Sequence, residues 1–358
     1  MLYATPPLDR SLKRSLDELD RLRTTLGREV ANPSPWLGTL RRQVTVSSVA
    51  SSVSIEGFTV PDNEAAAIVS GGAADAKDDS RRAIACYAHA MDHVGVMALD
   101  PVFEWMDRVI LDLHFDACSF QREKSPGRWR TGPIGVTAPG GGIGYEAPDS
   151  DDVVPLMAEV VGWLQDGDRE AHVVVRGAMA HLHTVSVHPF RDGNGRISRI
   201  VQSLVLAHDG LLAAEFSSIE EYLAEHTSEY YAVLQAVQGG RYQPERNASD
   251  WVRFCVRAHL AQAGKRLAQV AAAGESWARL EALVEQRGWP DRIVIALEQS
   301  LHGGTDRASY GQEADVSTAT ASTDLRRLLD AGLMTAEGRG RVIRYRASDG
   351  LKKQVQQG

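Results

Sequence analysis

The twelve residues from His188 to Arg199 concentrate the side chains that could do chemistry. They read HPFRDGNGRISR and combine a histidine, an aspartate, a Gly-Asn-Gly turn and two arginines. His188 is the candidate general base, because an imidazole can take a proton from a hydroxyl near neutral pH. Asp192 is the candidate metal ligand, because a carboxylate can hold Mg²⁺ against phosphate oxygens. The stretch therefore predicts proton transfer beside a bound anion.

The turn within this stretch predicts where the anion would bind. Gly193, Asn194 and Gly195 permit backbone conformations in which several N–H groups converge. A predicted helix begins directly after the turn, and its dipole adds to the attraction for an anion. Arg196 and Arg199 lie three residues apart on the first turn of that helix, so both can face the same anion. Two guanidinium groups and a nest of N–H groups suit an oligophosphate better than a single carboxylate.

The elements that must position this loop are predicted to be mainly helical. Apolar residues at i, i+3, i+4 and i+7 place Val46, Val49, Ala50 and Val53 on one helix face. Two β-like runs flank the glycine-rich turn Ala138–Gly142, which predicts a hairpin. The other predicted helices are Pro7–Leu26, Ser80–Leu99, Pro101–Phe115, Asp151–Leu164, Ala171–Val187, Ile197–His208, Ile219–Gln238, Ala248–Gln286 and Arg292–Leu301. The central architecture is therefore expected to be a helical bundle with one inserted hairpin.

Composition sets limits on the class of protein. With 358 residues the chain is long enough for about two or three domains. No apolar run approaches the ~20 residues of a membrane span, and the opening residues MLYATPPLDRSLKRSLDELD lack the apolar core of a signal peptide. Cys86, Cys118 and Cys255 have neither metal nor disulfide spacing, so we expect a cytoplasmic protein. The net charge of −8 does not favour nucleic acid as the main partner.

The loop as a whole resembles the signature of the Fic family, His-x-Phe-x-Asp/Glu-Gly-Asn-Gly-Arg-x-x-Arg, at all eight specified positions. AMAHLHTVSVHPF is similar to the family's motif helix, and GRWRTGPIGVT with GYEAP is similar to its flap, whose hairpin edge docks the target segment. The resemblance covers roughly Leu40 to Val237. It implies an enzyme that moves AMP from ATP to a Ser, Thr or Tyr hydroxyl of a target protein, with Mg²⁺ as cofactor.

The resemblance also implies a role for each loop residue. His188 would be the general base, and Asp192 would coordinate Mg²⁺ between the α- and β-phosphates. The Gly-Asn-Gly backbone and Arg196 would hold the phosphates, and Arg199 would grip the γ-phosphate. The target hydroxyl would then attack the α-phosphorus in line with the leaving pyrophosphate. Positioning and charge neutralisation supply most of what this reaction needs.

Two aromatic residues downstream are further candidates for the site. The segment EFSSIEEYLAEHTSEYYAVL is similar to the helices that follow the site in the family. Tyr230 and Tyr231 within it would form the wall of the adenine pocket. The alternative is that these tyrosines pack in the core at helical spacing. For one of the two, core packing explains the residue at least as well as an adenine pocket does.

A second motif, SVSIEG, lies far upstream of the loop. Ser52 and Glu56 are at i and i+4 and share a helix face, and Gly57 is placed to end the helix. By composition alone Glu56 would be an ordinary exposed acid. In context the motif resembles the family's Ser/Thr-x-x-x-Glu-Gly/Asn inhibitory helix, which implies that Glu56 pairs with Arg199 and blocks seating of the γ-phosphate. In some relatives this glutamate also serves removal of AMP, so a de-AMPylating hydrolase is the alternative.

The C-terminal part has a different character. A Gly/Pro-containing break, RGWPDR, places a boundary near Gly288, and from Arg287 onward 11 Lys and Arg stand against 9 Asp and Glu, a balance of +2 that leaves −10 for the rest. Three predicted helices and a hairpin resemble a winged helix-turn-helix. This resemblance implies a recognition helix from Thr318, with Arg339 and Arg341 on the wing. Two functions are possible for this domain. It could bind DNA, with the Fic core as a nucleotide sensor. Alternatively, it could form a homodimer or dock the target protein.

These observations predict a mainly α fold in four parts. A Fic-type helical bundle with a β-hairpin flap would be followed by a winged helix-turn-helix domain. The predicted parts are an N-terminal helical region 1–100 with the inhibitory helix at about 45–57, a catalytic core 101–245, a helical connector 246–287 and the winged domain 288–358.

Overall fold

The computed structural model describes residues 1–31, 34–72, 78–137, 143–210, 214–338 and 343–356. The chain divides into two compact units. Unit 1 comprises Met1–Thr25 and Val44–Lys265, and unit 2 comprises Leu26–Gln43 and Arg266–Gly358. These units are defined by compactness, so the four-part functional division stays a prediction.

The fold is mainly helical, as the sequence predicts. Within the described ranges no helix is long and apolar enough to span a bilayer. In unit 1, wholly or in part, the helices are α1 Arg10–Ala31, α2 Leu37–Ile55, α3 Asp62–Val69, α4 Asp79–Ala98, α5 Asp107–Cys118, α6 Val153–Asp166, α7 Val173–Val187, α8 Asn194–His208, α9 Ala214–Ser217, α10 Glu220–Glu225, α11 Thr227–Gln238 and α12 Ser249–Gln286. In unit 2 they continue as α13 Ile293–Leu301, α14 Arg307–Glu313, α15 Thr318–Asp330 and α16 Asp349–Gln356.

Two predicted helices differ from the observed ones. The segment predicted as Pro101–Phe115 becomes helical only at Asp107, because Met106 is extended and Trp105 N–H donates instead to Gln165 Oε1 at 2.9 Å. The predicted Ile219–Gln238 helix is two helices that break at His226. The turn Ala138–Gly142 lies outside the described residues. So do Arg339 and Arg341.

Helices α7 and α8 form the centre of unit 1. Every residue of α7 from Val174 to Val187 is buried, which fits a helix that is largely apolar all round. A Cβ added at Gly177 would lie 3.2 Å from Leu206, so the glycine lets α8 approach closely. Helices α4 and α5 pack against α8, while α6 packs against α7. The residues directly after α7 therefore emerge from a fully buried, closely packed helix.

The predicted hairpin is present beside these helices. Strands β1 Gly135–Thr137 and β2 Ile143–Glu146 pair antiparallel, with Val136 opposite Tyr145. The Tyr145 side chain is buried, and its hydroxyl donates to the Ser186 carbonyl at 2.5 Å. Since Ser186 belongs to α7, this bond fixes the hairpin to the end of the helix that leads to the loop.

In the described residues of unit 2, three short helices precede a second hairpin and α16 follows it. Helices α13, α14 and α15 precede strands β3 Met334–Glu337 and β4 Arg344–Ala347, which pair antiparallel. Asp324 of α15 is buried, accepts from Arg292 at 2.8 Å and accepts from the Tyr310 hydroxyl at 2.9 Å. The Ser317 hydroxyl caps α15 by accepting from the Thr320 N–H. Each short helix is therefore held by a polar anchor as well as by the apolar core.

Candidate active site

His188 sits at the point where α7 ends. Its backbone is left-handed, with φ 52° and ψ 55°, and its N–H donates to the Thr184 carbonyl at 3.2 Å. Imidazole Nδ1 lies 3.1 Å from the Val185 carbonyl oxygen, so it carries the ring proton and leaves Nε2 as the basic atom. The His188 carbonyl accepts from Arg130 Nε at 2.8 Å. The base is therefore fixed in tautomer and orientation by its own helix end.

The environment keeps His188 neutral. Burial lowers the pKa of its imidazole to about 4, and the Val185 contact, Glu56 and Asp192 oppose that shift only in part. At neutral pH the ring is therefore unprotonated at Nε2 and free to accept a proton. The structure thus puts a proton acceptor at the position the sequence predicts for a general base.

The loop after His188 is pinned by its asparagine. Asn194 Oδ1 accepts from the Phe190 N–H, and Asn194 Nδ2 donates to the Phe190 carbonyl, both at 2.9 Å. Gly193 has φ 78°, and a Cβ there would lie 2.4 Å from Cys118 Sγ, so only glycine fits. The first intrahelical bond of α8 runs from Ile197 N–H to the Gly193 carbonyl. The N–H groups of Asn194, Gly195 and Arg196 precede that bond, and anion binding by them stays a prediction.

Asp192 is held by contacts that the sequence does not reveal. Its Oδ1 accepts from the Gly193 N–H at 2.6 Å, and its Oδ2 lies 3.5 Å from Gln121 Nε2. Its backbone carbonyl accepts from His114 Nε2 at 2.9 Å. Burial lowers the pKa of His114 to about 4, so that ring is a neutral structural donor. No motif marks Gln121 or His114, since both lie more than 70 residues before Asp192.

Arg196 lies beneath Asp192 rather than on the cavity wall. Its side chain is 1% exposed and packs 5.5 Å from the ring centres of Phe58 and Phe120. One terminal nitrogen donates to Gln121 Oε1 at 3.1 Å and to Asp192 Oδ1 at 3.3 Å. This geometry makes Arg196 a support for the aspartate. Its predicted contact with phosphate stays a prediction.

Glu56 and Arg199 meet in the structure. Arg199 Nη2 donates to Glu56 Oε1 at 2.9 Å and to the Ser52 carbonyl at 2.9 Å, while Nε donates to Ser52 Oγ at 2.7 Å. Desolvation lowers the pKa of the buried Arg199, but Glu56, Tyr230 and Tyr87 together more than offset this and the net shift is upward. A Cβ added at Gly195 would lie 2.5 Å from Glu56 Oε1, so the carboxylate also presses against the loop. The carboxylate of Glu56, directly after α2, thus lies against one edge of the Arg199 guanidinium and against the Gly195 side of the predicted anion site.

These groups surround a cavity of about 580 Å³ in unit 1. Tyr230 is buried in its wall, and Tyr231 is 41% exposed beside it. Arg199 and Arg196 are not part of the wall. The lining comprises Glu56, Ile134, Gly135, Val136, Gly144, Tyr145, Val185, His188, Arg191, Asp192, Gly193, Asn194, Gly195, Tyr230, Tyr231, Leu234, Gln235 and Gln238. The structure therefore brings together residues that the chain separates by up to 182 positions, Glu56 to Gln238.

Four further residues that line or support the cavity were not predicted from the sequence motifs. Arg130 ties the flap to the loop, because its N–H donates to the Pro189 carbonyl and its guanidinium donates to the carbonyls of His188 and Gly132. Arg191, Gln235 and Gln238 line the cavity directly. The two glutamines follow Tyr231 at i+4 and i+7, and that helical spacing is a signal that would have found them.

The side chains at this site could bind Mg²⁺ only if a bound nucleotide supplied further oxygen ligands. In the part of the chain that the structure describes, no group of three or more His, Cys, Asp or Glu could hold a metal ion. Asp192 offers one partly exposed carboxylate at the cavity wall. Mg²⁺ commonly takes one or two carboxylates and completes its shell with phosphate oxygens and water. A single aspartate beside an anion nest fits that pattern.

Comparison with known proteins gives a consistent result. Residues 105–206 match the Fic/DOC family. A protein adenylyltransferase Fic from Culex quinquefasciatus is 33% identical over 102 residues, which are 28% of this chain and 19% of that protein. A probable protein adenylyltransferase from Aquifex aeolicus (strain VF5) is 35% identical over 79 residues, which are 22% of this chain and 24% of that protein. The chain thus spans about a fifth to a quarter of the length of these relatives.

Solved structures extend the likeness of the fold. A Fic family protein from Desulfovibrio desulfuricans G20 superposes with a TM-score of 0.62 at 19% identity, over 96% of this chain and 98% of that one. Fic-1 from C. elegans superposes with a TM-score of 0.55 at 22% identity, over 72% of this chain and 71% of that one. At these identities the likeness concerns the fold.

Proposed function

We propose that this chain, whose residues 105–206 match the Fic/DOC family, is a protein adenylyltransferase that moves AMP from ATP to a Ser, Thr or Tyr hydroxyl of a target protein. The observation that carries the proposal is one cavity in which a neutral His188, Asp192 and the Gly193–Gly195 backbone converge. Relatives named protein adenylyltransferase, 33% and 35% identical over 102 and 79 residues, support the same assignment.

The reaction is a nucleotidyl transfer with a simple balance of bonds. The target hydroxyl oxygen attacks the α-phosphorus, the bond from that phosphorus to the bridging oxygen breaks, and pyrophosphate leaves. The hydroxyl proton passes to Nε2 of His188, which is free because Nδ1 is committed to Val185. The N–H groups at the start of α8 hold the negative charge that builds on the phosphate oxygens. Asn194 and Gly195 are the residues we assign to that task, while Gly193, whose own N–H donates to Asp192 Oδ1, shapes the turn.

Asp192 is the residue we assign to the metal. Mg²⁺, when bound, neutralises phosphate charge and favours departure of pyrophosphate. The chain's part is to hold the carboxylate in place through Gly193 N–H, Arg196 and Gln121. Tyr231, 41% exposed on the cavity wall, is the ring we assign to covering the adenine, and the buried Tyr230 is the one of the pair we assign to packing.

We further propose that the chain restrains itself through Glu56. Arg199 is the ligand we assign to the γ-phosphate, and its Nη2 is committed to Glu56 and Ser52. While that pair stands, the γ-phosphate lacks its partner and the α-phosphorus is misaligned for attack. Displacement of a reacting group by about 1 Å can cost on the order of 10²-fold in rate.

Removal of AMP from a modified protein is the second candidate activity. It is favoured by one observation: Glu56 and His188 line the same cavity, so the carboxylate is placed where it could position a water. The Glu56→Gly variant distinguishes AMP transfer from AMP removal in one experiment. Glu56→Gly should raise transfer and abolish hydrolysis if both occur on this site.

The test of the proposed function uses labelled ATP. Wild type and Glu56→Gly are incubated with [α-³²P]ATP, Mg²⁺ and a cell lysate, and labelled proteins are identified. We expect covalent label on hydroxyl residues of a few proteins and on the enzyme itself, more strongly with Glu56→Gly. Absence of covalent label from both proteins, when both bind ATP, would contradict adenylyl transfer.

For unit 2 we propose a winged helix-turn-helix that binds duplex DNA through α15. One face of this helix carries Ala321, Leu325 and Leu328 in the core, and the other turns outward with small polar side chains and one arginine. Thr323 and Arg326 are exposed on that outer face. Hydroxyl and guanidinium groups contact both phosphates and base edges in such helices.

The DNA proposal is tested on the full chain. Binding to a pool of duplexes should weaken as salt rises. Arg326→Ala should weaken binding and lower the salt slope by about 1, and so should alanine at Arg339 or Arg341. Arg14→Ala, which removes an exposed arginine in unit 1, is the matched control. Self-association without any duplex binding would favour a dimerisation module instead.

A further inference from the structure

A line of buried polar side chains leads from α1 to the cavity wall in unit 1. Arg23 Nη2 lies 3.2 Å from His259 Nδ1, and His259 Nε2 lies 3.2 Å from the Gln202 amide. The other end of that amide lies 2.8 Å from His181 Nδ1, and His181 Nε2 lies 3.1 Å from the Tyr230 hydroxyl. All five side chains are at most 7% exposed. They form one relay, which we call the Arg23 relay.

Arg23 sets the direction of the first hydrogen bond. A guanidinium only donates, so His259 Nδ1 must be the acceptor. Burial lowers the pKa of Arg23 only to about 10, so it is still a cation at neutral pH. Among the described residues no carboxylate forms an ion pair with Arg23, and its Nη1 has no hydrogen-bond partner. The contact with His259 is therefore its main polar attachment.

Each later bond follows from the one before it. Burial holds the pKa of His259 well below its usual value, so the ring is neutral and its one proton is on Nε2. That N–H needs an acceptor, yet Gln202 Nε2 faces it in the structure. Carboxamide oxygen and nitrogen exchange places by a 180° rotation with almost no change in shape. The amide must therefore turn Oε1 to His259 and Nε2 to His181.

The same argument assigns the protons of the last two residues of the relay, His181 and Tyr230. Gln202 Nε2 donates to His181 Nδ1, so the single proton of His181 sits on Nε2, since burial lowers the pKa of this ring to about 3. His181 then donates to the Tyr230 oxygen. Burial raises the pKa of the Tyr230 hydroxyl and the nearby Arg199 opposes that shift, but Arg199 is also only a donor. The hydroxyl proton of Tyr230 is left to find an acceptor elsewhere.

We infer that the Arg23 relay fixes Tyr230 as a hydrogen-bond donor into the cavity, aimed at an anionic phosphate oxygen of the nucleotide that binds beside Arg199. The inference rests on the proposed function for the nucleotide. Arg23, His259, Gln202 and His181 are positioning residues, since they act only through Tyr230. All their N–H bonds point the same way from a buried cation, and such aligned chains polarise the last donor.

The tautomers give a direct test that does not depend on nucleotide. In protein labelled with ¹⁵N at histidine, long-range ¹H–¹⁵N spectra distinguish protonation at Nδ1 from protonation at Nε2. We expect Nε2–H tautomers for both His259 and His181 at pH 7, and the same in Arg23→Lys, which keeps a donor. Arg23→Met removes the donor, so His259 is expected to lose its single tautomer. An Nδ1–H tautomer at either ring in wild type overturns the relay.

Binding tests the acceptor at the far end. The probe is α,β-methylene ATP with Mg²⁺, which cannot release pyrophosphate, measured by calorimetry. Tyr230→Phe removes the donor but keeps the ring, and should weaken binding by about tenfold or more, as for a lost hydrogen bond to a charged group. Tyr242→Phe is the control, because the Tyr242 hydroxyl donates to the Met1 carbonyl and the residue does not line the cavity. Its affinity should stay within about twofold of wild type.

The outcomes separate the inference from the proposed function. Unchanged affinity in Tyr230→Phe, with the expected tautomers, overturns the claim that the proton is aimed at the nucleotide. A wild-type protein that binds no adenine nucleotide contradicts the proposed function instead, while the tautomer result stands by itself. Equal weakening by Tyr230→Phe and Tyr242→Phe would assign the loss to a general effect of losing a tyrosine hydroxyl and overturn the role of the relay.

Discussion

Replacement of Glu56 tests whether the pair with Arg199 regulates the site or only stabilises it. Glu56→Gly removes the carboxylate and leaves Arg199 free for the γ-phosphate. Arg199 then keeps its two hydrogen bonds with Ser52, at 2.7 and 2.9 Å. We expect AMP transfer to self and to lysate targets to rise.

The expected increase in the rate of AMP transfer follows from the hydrogen bond that is lost. One hydrogen bond to a charged group is worth about 1.5–3 kcal/mol, or about 10- to 150-fold in an equilibrium constant. The Glu56 side chain is 23% exposed, so water screens part of the interaction and the lower range applies, about 10- to 50-fold. Glu56→Gln keeps an acceptor oxygen without the charge and should activate by only a few fold. Ser52→Ala leaves Glu56 in place and should activate least.

The assay compares initial rates of label transfer from [α-³²P]ATP, alongside calorimetric binding of ATP and a thermal melt of each variant. Arg199→Ala is the matched control, because it breaks the same pair but also removes the proposed phosphate ligand, so it should not activate. A Glu56→Gly protein that is folded, binds ATP and transfers AMP no faster than wild type would refute the inhibitory reading. The end of α2 would then be a packing element only.

Three further predictions concern the base, the loop glycine and acid stability. His188→Ala should lose about 10²–10⁴-fold in transfer and still bind ATP by calorimetry; an undiminished rate would contradict its role. Gly193→Ala should unfold at lower urea than Gly210→Ala, because both glycines have positive φ but only Gly193 would meet a neighbour, Cys118 Sγ at 2.4 Å; equal losses would contradict the contact. Burial lowers the pKa of His181 and His183 to about 3. The unfolded chain therefore binds more protons below pH ~6.5, and stability should fall by up to about 1.4 kcal/mol per pH unit for each ring as pH drops toward 4. Urea titrations at pH 7 and 5 check this, and a His183→Phe protein with the same slope as wild type would contradict it.

The sequence predicted most of the mainly helical fold and the positions of the loop residues. The loop is local in sequence, since a helix end, a tight turn and a helix start fall within twelve residues. Spacing of four placed Ser52 and Glu56 on one face of α2. The partner of that face, Arg199, lies 143 residues away from Glu56, and only the resemblance to a family connected the two.

Other parts of the site depend on contacts that no local pattern encodes. His114 and Gln121 reach Asp192 because α5 packs against α8, and neither carries a motif. Arg196 sits where a phosphate ligand is expected by spacing, yet the packing of Phe58 and Phe120 holds it beneath the aspartate. Spacing gives the face of a helix on which a side chain lies, whereas its partner is set by which helices pack together.

The most direct test of the central claim is a comparison of two labels in parallel reactions. Glu56→Gly is incubated with Mg²⁺ and either [α-³²P]ATP or [γ-³²P]ATP, and protein-bound radioactivity is measured after denaturation. Adenylyl transfer predicts covalent label from the α-phosphate alone, with the γ-label recovered in pyrophosphate. Label from the γ-phosphate would show phosphoryl transfer instead, and it would contradict the account of the site.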